Sequence, residues 1–263
     1  VTAMTTTIVS ILARKGGVAK TTTAANLAAG LAARGFHTLA ADADAQGHLA
    51  VAFGRELGPE AARAFAGYIL GRPLDDLILP MHGCPSAGSL LPGGEATRLA
   101  EAELTTSAAV LAVAARFRAD VGAGGYDCAV IDSGPRGPLQ DWAAAAADIV
   151  LVPAPCNYLG ASAVFDALRL VRVVAGLTGH QPQAWVLPTM YEGHKKDSRF
   201  WLNQLRAEVR VRLLDPIPMR VKVAESLAAG VPLVSLAPNH EAAAAYMAVV
   251  EQIEHAITEG AAA

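Results

Sequence analysis

The chain is poor in lysine and cysteine and has no surplus of positive charge. Its 263 residues include 3 cysteines, Cys84, Cys128 and Cys156, too far apart to form a CxxC pair. An odd, scattered set argues against a disulfide framework and a cysteine zinc site, and reads as free intracellular thiols. No apolar run approaches the roughly 18 residues of a membrane span. No charged segment leads into an apolar core at the start, so no secretory signal is expected. The formal net charge of −3 offers polyanions no global attraction, so any nucleic-acid contact has to come from a local patch. Lysine occurs only as Lys15, Lys20, Lys195, Lys196 and Lys222. Internal repeats and Gly/Ser/Pro-rich linkers are absent too, so one domain over residues 1–263 is expected, with a variable excursion near 54–105.

What the chain does have is alanine-rich apolar sequence, 53% apolar overall, enough for one large α/β domain. Short β-branched runs alternate with helical stretches. Thr7–Ala13, His37–Ala41, Tyr126–Asp132, Asp148–Pro153 and Trp185–Thr189 read as strands. Residues 23–32, 104–118, 160–176, 200–213 and 239–257 read as helices, with Gly122–Gly125 as a turn and Asn239 as the last N-cap. This alternation implies a doubly wound, mostly parallel sheet with helices on both faces.

Two lysines fall in Arg14-Lys15-Gly16-Gly17-Val18-Ala19-Lys20-Thr21-Thr22, between the first strand and the first helix. Strand, glycine loop and helix N-terminus together aim backbone N–H groups and the helix dipole at an anion. Lys20 would reach the β- and γ-phosphates of a nucleotide, and the Thr21 hydroxyl would ligate Mg²⁺. The strict phosphate-loop pattern wants glycine at Arg14 and Ala19, and fails there. Lys15-Gly16-Gly17-x-x-Lys20-Thr21 instead resembles the deviant P-loop of the ParA/MinD ATPases, whose extra lysine matches Lys15.

In that family the extra lysine crosses an ATP sandwich dimer to the partner's phosphates. Asp132, closing Ala129-Val130-Ile131 and followed by Ser133-Gly134-Pro135, resembles the family's Walker B acid. Asp42-x-Asp44-x-Gln46-Gly47 resembles its second motif, where the acid matching Asp44 handles the attacking water and that matching Asp42 lies near the metal. Ile217 to Ser226, and Pro188-Thr189-Met190-Tyr191 opposite, resemble the adenine bracket. The resemblance thus implies ATP contacts at Gly16, Gly17, Val18, Ala19, Thr22, Thr189, Pro218, Met219 and Arg220 besides Lys15, Lys20 and Thr21. Ala19 replaces glycine, Ala45 replaces proline, and Gly134-Pro135 replaces Pro-Pro. No catalytic side chain is lost, and slow ATP hydrolysis is expected.

Arg199, Asn203, Arg206 and Arg210 are spaced for one helical face, with Lys195 and Lys196 just upstream. Lys222 falls where the family places a DNA-binding base. The resemblance implies a cytoplasmic, nucleoid-associated homodimer that binds double-stranded DNA and answers to a ParB-like partner or cargo adaptor. A MinD-like membrane role would need a basic amphipathic end, whereas Tyr246–Glu259 is acidic and is expected to pack on the sheet edge. A ligase on the same fold would need a substrate cleft, and Asp75, Asp76 and His82 form no recognisable constellation.

Overall fold

The computed structural model describes residues 6–82 and 88–260, so Cys84 lies outside the described residues. β1 (Thr7–Ile11) leads into α1 (Lys20–Ala33), β2 (Thr38–Ala43) and the short α2 (His48–Ala52). The excursion holds α3 (Ala64–Ile69), β3 (Leu79–Pro80), β4 (Gly88–Leu91) and α4 (Ala96–Ala100). Then come α5 (Ser107–Ala123), β5 (Cys128–Ser133), α6 (Pro138–Ala146), β6 (Ile149–Pro155) and α7 (Tyr158–Thr178). The chain finishes with β7 (Gln183–Thr189), α8 (Lys196–Glu208), β8 (Arg212–Leu213), α9 (Val221–Ala228), α10 (Leu233–Leu236) and α11 (Glu241–Gly260).

The strands form one sheet in the order β3-β4-β2-β5-β1-β6-β7-β8. Only the β3–β4 pair is antiparallel among the described strands. Alternate strand residues feed two apolar layers, as a sheet covered on both faces requires. Ile8, Ile131 and Val150 face one layer with α5, α6 and α7; Val9, Val130 and Leu151 face the other with α1 and α11. The doubly wound architecture is therefore the expected one. β1 lies between β5 and β6, so the loop leaving its carboxyl end opens at the middle of the sheet, where such folds bind ligands.

The excursion is part of this core. Phe65 of α3 meets Trp142 of α6 edge-on at 5.2 Å, and Phe117 of α5 meets the same ring at 5.1 Å. All three are fully buried. Edge-to-face pairs of this kind add roughly 0.5–1.5 kcal/mol each beyond area burial.

Several boundaries differ from expectation. The helix expected over 200–213 is α8, Lys196–Glu208. Val209 leaves it in extended conformation (φ −74°, ψ 125°), so Arg210 does not continue the helical face. The side chain of Val209 is buried, and the chain turns there to reach β8. α5 runs on through Gly122, and the turn begins only at Gly124. The cap of α11 is His240, not Asn239: its Nδ1 accepts the Ala242 N–H at 3.2 Å. α11 packs its Val250 against Gly30 of α1, on the sheet face and not at its edge.

Gly54, just past α2, and Gly230, just past α9, are both left-handed at φ +64°. A Cβ on Gly230 would stand 2.5 Å from the Gly54 Cα, so the two backbones touch with no room for a side chain. Gly230→Ala should therefore cost about 2–4 kcal/mol, combining left-handed strain with overpacking. Urea unfolding would measure it, and a loss under about 1 kcal/mol would mean that the contact yields freely.

Candidate functional site

A cleft of about 930 Å³ opens at the carboxyl ends of the central strands. Gly16, Gly17, Lys20 and Thr21 line one end, and Thr189, Pro218, Met219 and Arg220 line the other. Two segments distant in sequence thus meet in one nucleotide-sized space.

The phosphate-loop end is built on backbone conformation. Gly17 is left-handed at φ +69°. Ala19, the residue before α1, is also left-handed (φ 73°, ψ 30°), a conformation that costs a non-glycine residue roughly 1–2 kcal/mol. α1 has no side-chain cap and no acid in its first turn, which keeps its first amides and its positive dipole end available to an anion. Lys20 opens α1 and is only 8% exposed. Its Nζ donates to the Lys15 carbonyl at 2.9 Å. Burial lowers its pKa, while the Asp132 and Asp44 carboxylates pull it up.

Asp42 and Asp132 face each other across the β2–β5 ladder. Both are buried, and their carboxyls play different parts. Asp42 accepts the Asp44 N–H and the Leu49 N–H, each at 3.0 Å, one on each oxygen. It thereby folds the loop that carries Asp44, and its pKa is raised chiefly by burial and then by Asp132. Neither oxygen of Asp132 has a well-formed hydrogen bond. Burial pushes its pKa up to about 7, with the Thr21 hydroxyl and the Lys20 ammonium drawing it down and Asp44 pushing it further up. A buried carboxylate with both oxygens free, beside a hydroxyl and an ammonium, is a donor set that fits a hard divalent cation. Asp44 is half-buried at the cleft wall, where its Oδ1 accepts the Gln46 N–H at 3.0 Å.

That unmet burial carries a stability cost. The folded-state pKa of Asp132 lies above its ordinary value of 3.8, so stability is greatest in acid and falls as pH rises from about 4 to about 7. Asp132→Asn should raise the thermal midpoint of the nucleotide-free chain at pH 7.5 by several degrees while lowering the stabilisation gained from ATP and Mg²⁺. A nucleotide-free midpoint equal to or below that of the parent would contradict this.

The opposite end of the cleft is organised by β7 and the segment after β8. Ile217 N–H donates to Pro188 O at 2.9 Å, Tyr191 N–H to Ile217 O at 3.0 Å, and Met219 N–H to Tyr191 O at 2.9 Å. Thr189 Oγ1 donates to the Val18 carbonyl at 3.3 Å, tying this end to the phosphate loop. Met190 between them is left-handed at φ 52°.

Two expected contacts are not delivered into the cleft. Lys15 points away from it, its Nζ donating to Leu159 O at the start of α7, 3.1 Å away. Val18 is buried and offers only its backbone. The basic residues also separate. Lys195 pairs with Glu192 at 2.8 Å and Lys222 with Glu225 at 3.0 Å. Arg199 donates to Gly193 O, while Lys196 and Arg206 are exposed.

The cleft also contains residues that sequence reasoning missed. Arg98 and Glu101, from the end of the excursion, line it together with Arg136. Glu101 sits against Gly137, and its pKa is raised by burial. Gln140 of α6 is buried and donates to Gly134 O at 3.1 Å and to Ala13 O at 3.3 Å, bridging the loops after β5 and β1. A lone glutamine among alanines was the available signal for it.

A family described as an AAA domain (AAA_31) matches residues 6–178. The chromosome-partitioning ATPase Soj of Thermus thermophilus is 33% identical over 254 residues, covering 95% of this chain and 96% of Soj. The chain belongs to the ParA/Soj family of partitioning ATPases. The family fold is the one described above. A variant of Cyanothece McdA in complex with ATP superposes with a TM-score of 0.83 at 23% identity, covering 94% of this chain and 96% of that one. Cobyrinic acid a,c-diamide synthase from Mycobacterium smegmatis, with a bound ATP analogue and magnesium, superposes with a TM-score of 0.80 at 26% identity over 97% of each chain.

Proposed function

We propose that this family member is a DNA-partitioning or cargo-positioning ATPase. Its ATP-bound homodimer binds double-stranded DNA without sequence preference and lets go when a ParB-like partner stimulates slow hydrolysis. The observation that carries this reading is Asp132, buried with both carboxylate oxygens free, beside Lys20 and Thr21 at the end of a phosphate loop.

Each residue then has a defined task. The amides of residues 16–22 and the Lys20 ammonium hold the phosphates. Asp132 and Thr21, with Asp42 behind them, would hold Mg²⁺, which supplies neutralisation of the charge on the β- and γ-phosphates. Asp44 receives or orients the attacking water, and the hydrogen bonds of Asp42 keep it facing the cleft. Lys15 leaves the Leu159 carbonyl to reach the partner subunit's phosphates. Thr189, Pro218, Met219 and Arg220 bracket the adenine.

The rival readings have less support. The apolar face of α11 is consumed by the core, Tyr246, Val250 and Ile253 all being buried, so it is poorly placed to insert in a bilayer. An amide-ligase reading draws on the likeness to the diamide synthase, but Asp75, Asp76 and His82 do not line the cleft.

The test is binding to random-sequence duplex DNA with ATP, with ADP and without nucleotide, across a salt series. ATP-dependent binding that falls steeply with salt is expected, because each phosphate contact releases counterions. Absence of binding in every state would sink the DNA reading and leave a nucleotide-dependent switch that acts on something else.

A further inference from the structure

Outside the cleft, three arginines without an ion pair among the described residues gather where α7 meets the exit of α8. Arg169 and Arg172 are exposed on α7, three residues apart and so on the same face. They line a groove of about 250 Å³ with Arg210, which has left α8. Its floor is aliphatic, from Leu168, Val209 and Val211. None of the three arginines has an ion pair among the described residues, and Glu208, the one carboxylate lining the groove, makes none with them. Five surface cations elsewhere, Arg34, Arg118, Lys195, Arg220 and Lys222, each hold a carboxylate. The groove continues past Arg172 toward residues 181–184 as a second furrow of about 410 Å³.

We propose that this arginine groove of α7 and the α8 exit is a seat for the sugar-phosphate backbone of duplex DNA, with Arg169 and Arg172 as contacts additional to those on α8. The inference rests on the DNA-binding reading above and extends its footprint to a helix that the sequence stripe did not include. Guanidinium forks grip phosphate oxygens two at a time, which favours phosphates over a neutral or cationic partner. Arg199 and Arg206, seven residues apart on α8, have no ion pair among the described residues either. They share the flank of α8 turned away from Trp201, Gln204 and Glu208, which face α7, so the groove is a second cationic surface beside theirs. Two adjoining open furrows that share Arg172 suit a long, regular polyanion better than an acidic peptide, which a closed pocket would suit.

The experiment compares the full chain with R169E/R172E, both exposed positions remote from the nucleotide cleft, using duplex DNA and ATP over a salt series. The double variant should keep the parent's thermal midpoint and ATP turnover. Its DNA affinity should fall at least tenfold, with a salt slope shallower by about 3.6, the value for four lost phosphate contacts, two on each subunit of the dimer. Unchanged affinity and slope in the variant, with the parent binding normally, would overturn the groove alone. Absence of DNA binding by the parent would overturn the wider DNA reading and this inference with it. Competition by poly-L-glutamate as effective as duplex DNA of equal charge, lost in the variant, would assign the groove to an acidic polypeptide and overturn it as a DNA seat.

Discussion

Lys20→Ala should cost the chain its nucleotide, weakening ATP and ADP by two to three orders of magnitude. The ammonium is nearly buried, and its intramolecular partner is a single carbonyl, that of Lys15 at 2.9 Å. Its desolvation is therefore already suffered in the nucleotide-free protein, and most of its attraction for phosphate is available to binding. Removing one member of a buried, hydrogen-bonded charge pair costs about 3–5 kcal/mol, and about 1.4 kcal/mol is a factor of ten. A second effect reinforces the first: without Lys20, Asp132 loses a cation that favours its ionised form, and an un-ionised carboxyl is a poorer metal ligand. Equilibrium titration with a fluorescent ADP analogue, free of any turnover, measures the loss directly. A dissociation constant within threefold of the parent's would show that the loop amides hold the phosphates unaided.

Asp44→Ala should separate binding from turnover. Asp44 stands at the cleft wall beside Gly134, a Cβ on which would lie 3.8 Å from its Oδ1. It is therefore near the loop after β5 but outside the amides that hold the phosphates. Loss of a positioned general base costs 10²–10⁴ in rate. The expected result is a kcat lower by at least a hundredfold with ATP affinity changed less than threefold. Under the proposed cycle, the variant also remains on DNA after ATP is added, where the parent dissociates. Single-turnover hydrolysis and a DNA dissociation time course check the two halves separately. A normal kcat would move the role to another acid, and Glu101 is the carboxylate nearest at hand in the cleft.

Strands and the phosphate loop were legible because they are local. Thr7 to Ile11 is β-branched and apolar, and the glycine pair with two lysines falls directly between it and an alanine-rich helix. The placing of Asp42 and Asp132 at the ends of neighbouring strands was legible for the same reason, since each ends an apolar run. What the sequence did not disclose depends on distant partners. Phe65 belongs to a six-residue helix whose stability comes from Trp142, far along the chain, and no local pattern announces that contact. Arg98 and Glu101 reach the cleft only because the excursion docks there. Arg210 has the spacing of a helical face, yet the burial of Val209 ends the helix before it. Ala19 was visible as a departure from glycine; that it keeps glycine's backbone conformation was not.

The contact of Gly54 with Gly230 bears on anyone wishing to re-engineer nucleotide choice in this chain. α9 supplies Val223 and Leu227 to the wall of the cleft, and α2 follows the loop that holds Asp44. Backbone pressed on backbone leaves no compliant side chain between them to absorb a shift. A hole carved at Val223 or Leu227 to admit a bulky, orthogonal ATP analogue would therefore be felt at the loop that carries Asp44 as well. Analogue-specific versions of this protein should be screened for altered timing as stringently as for altered recognition.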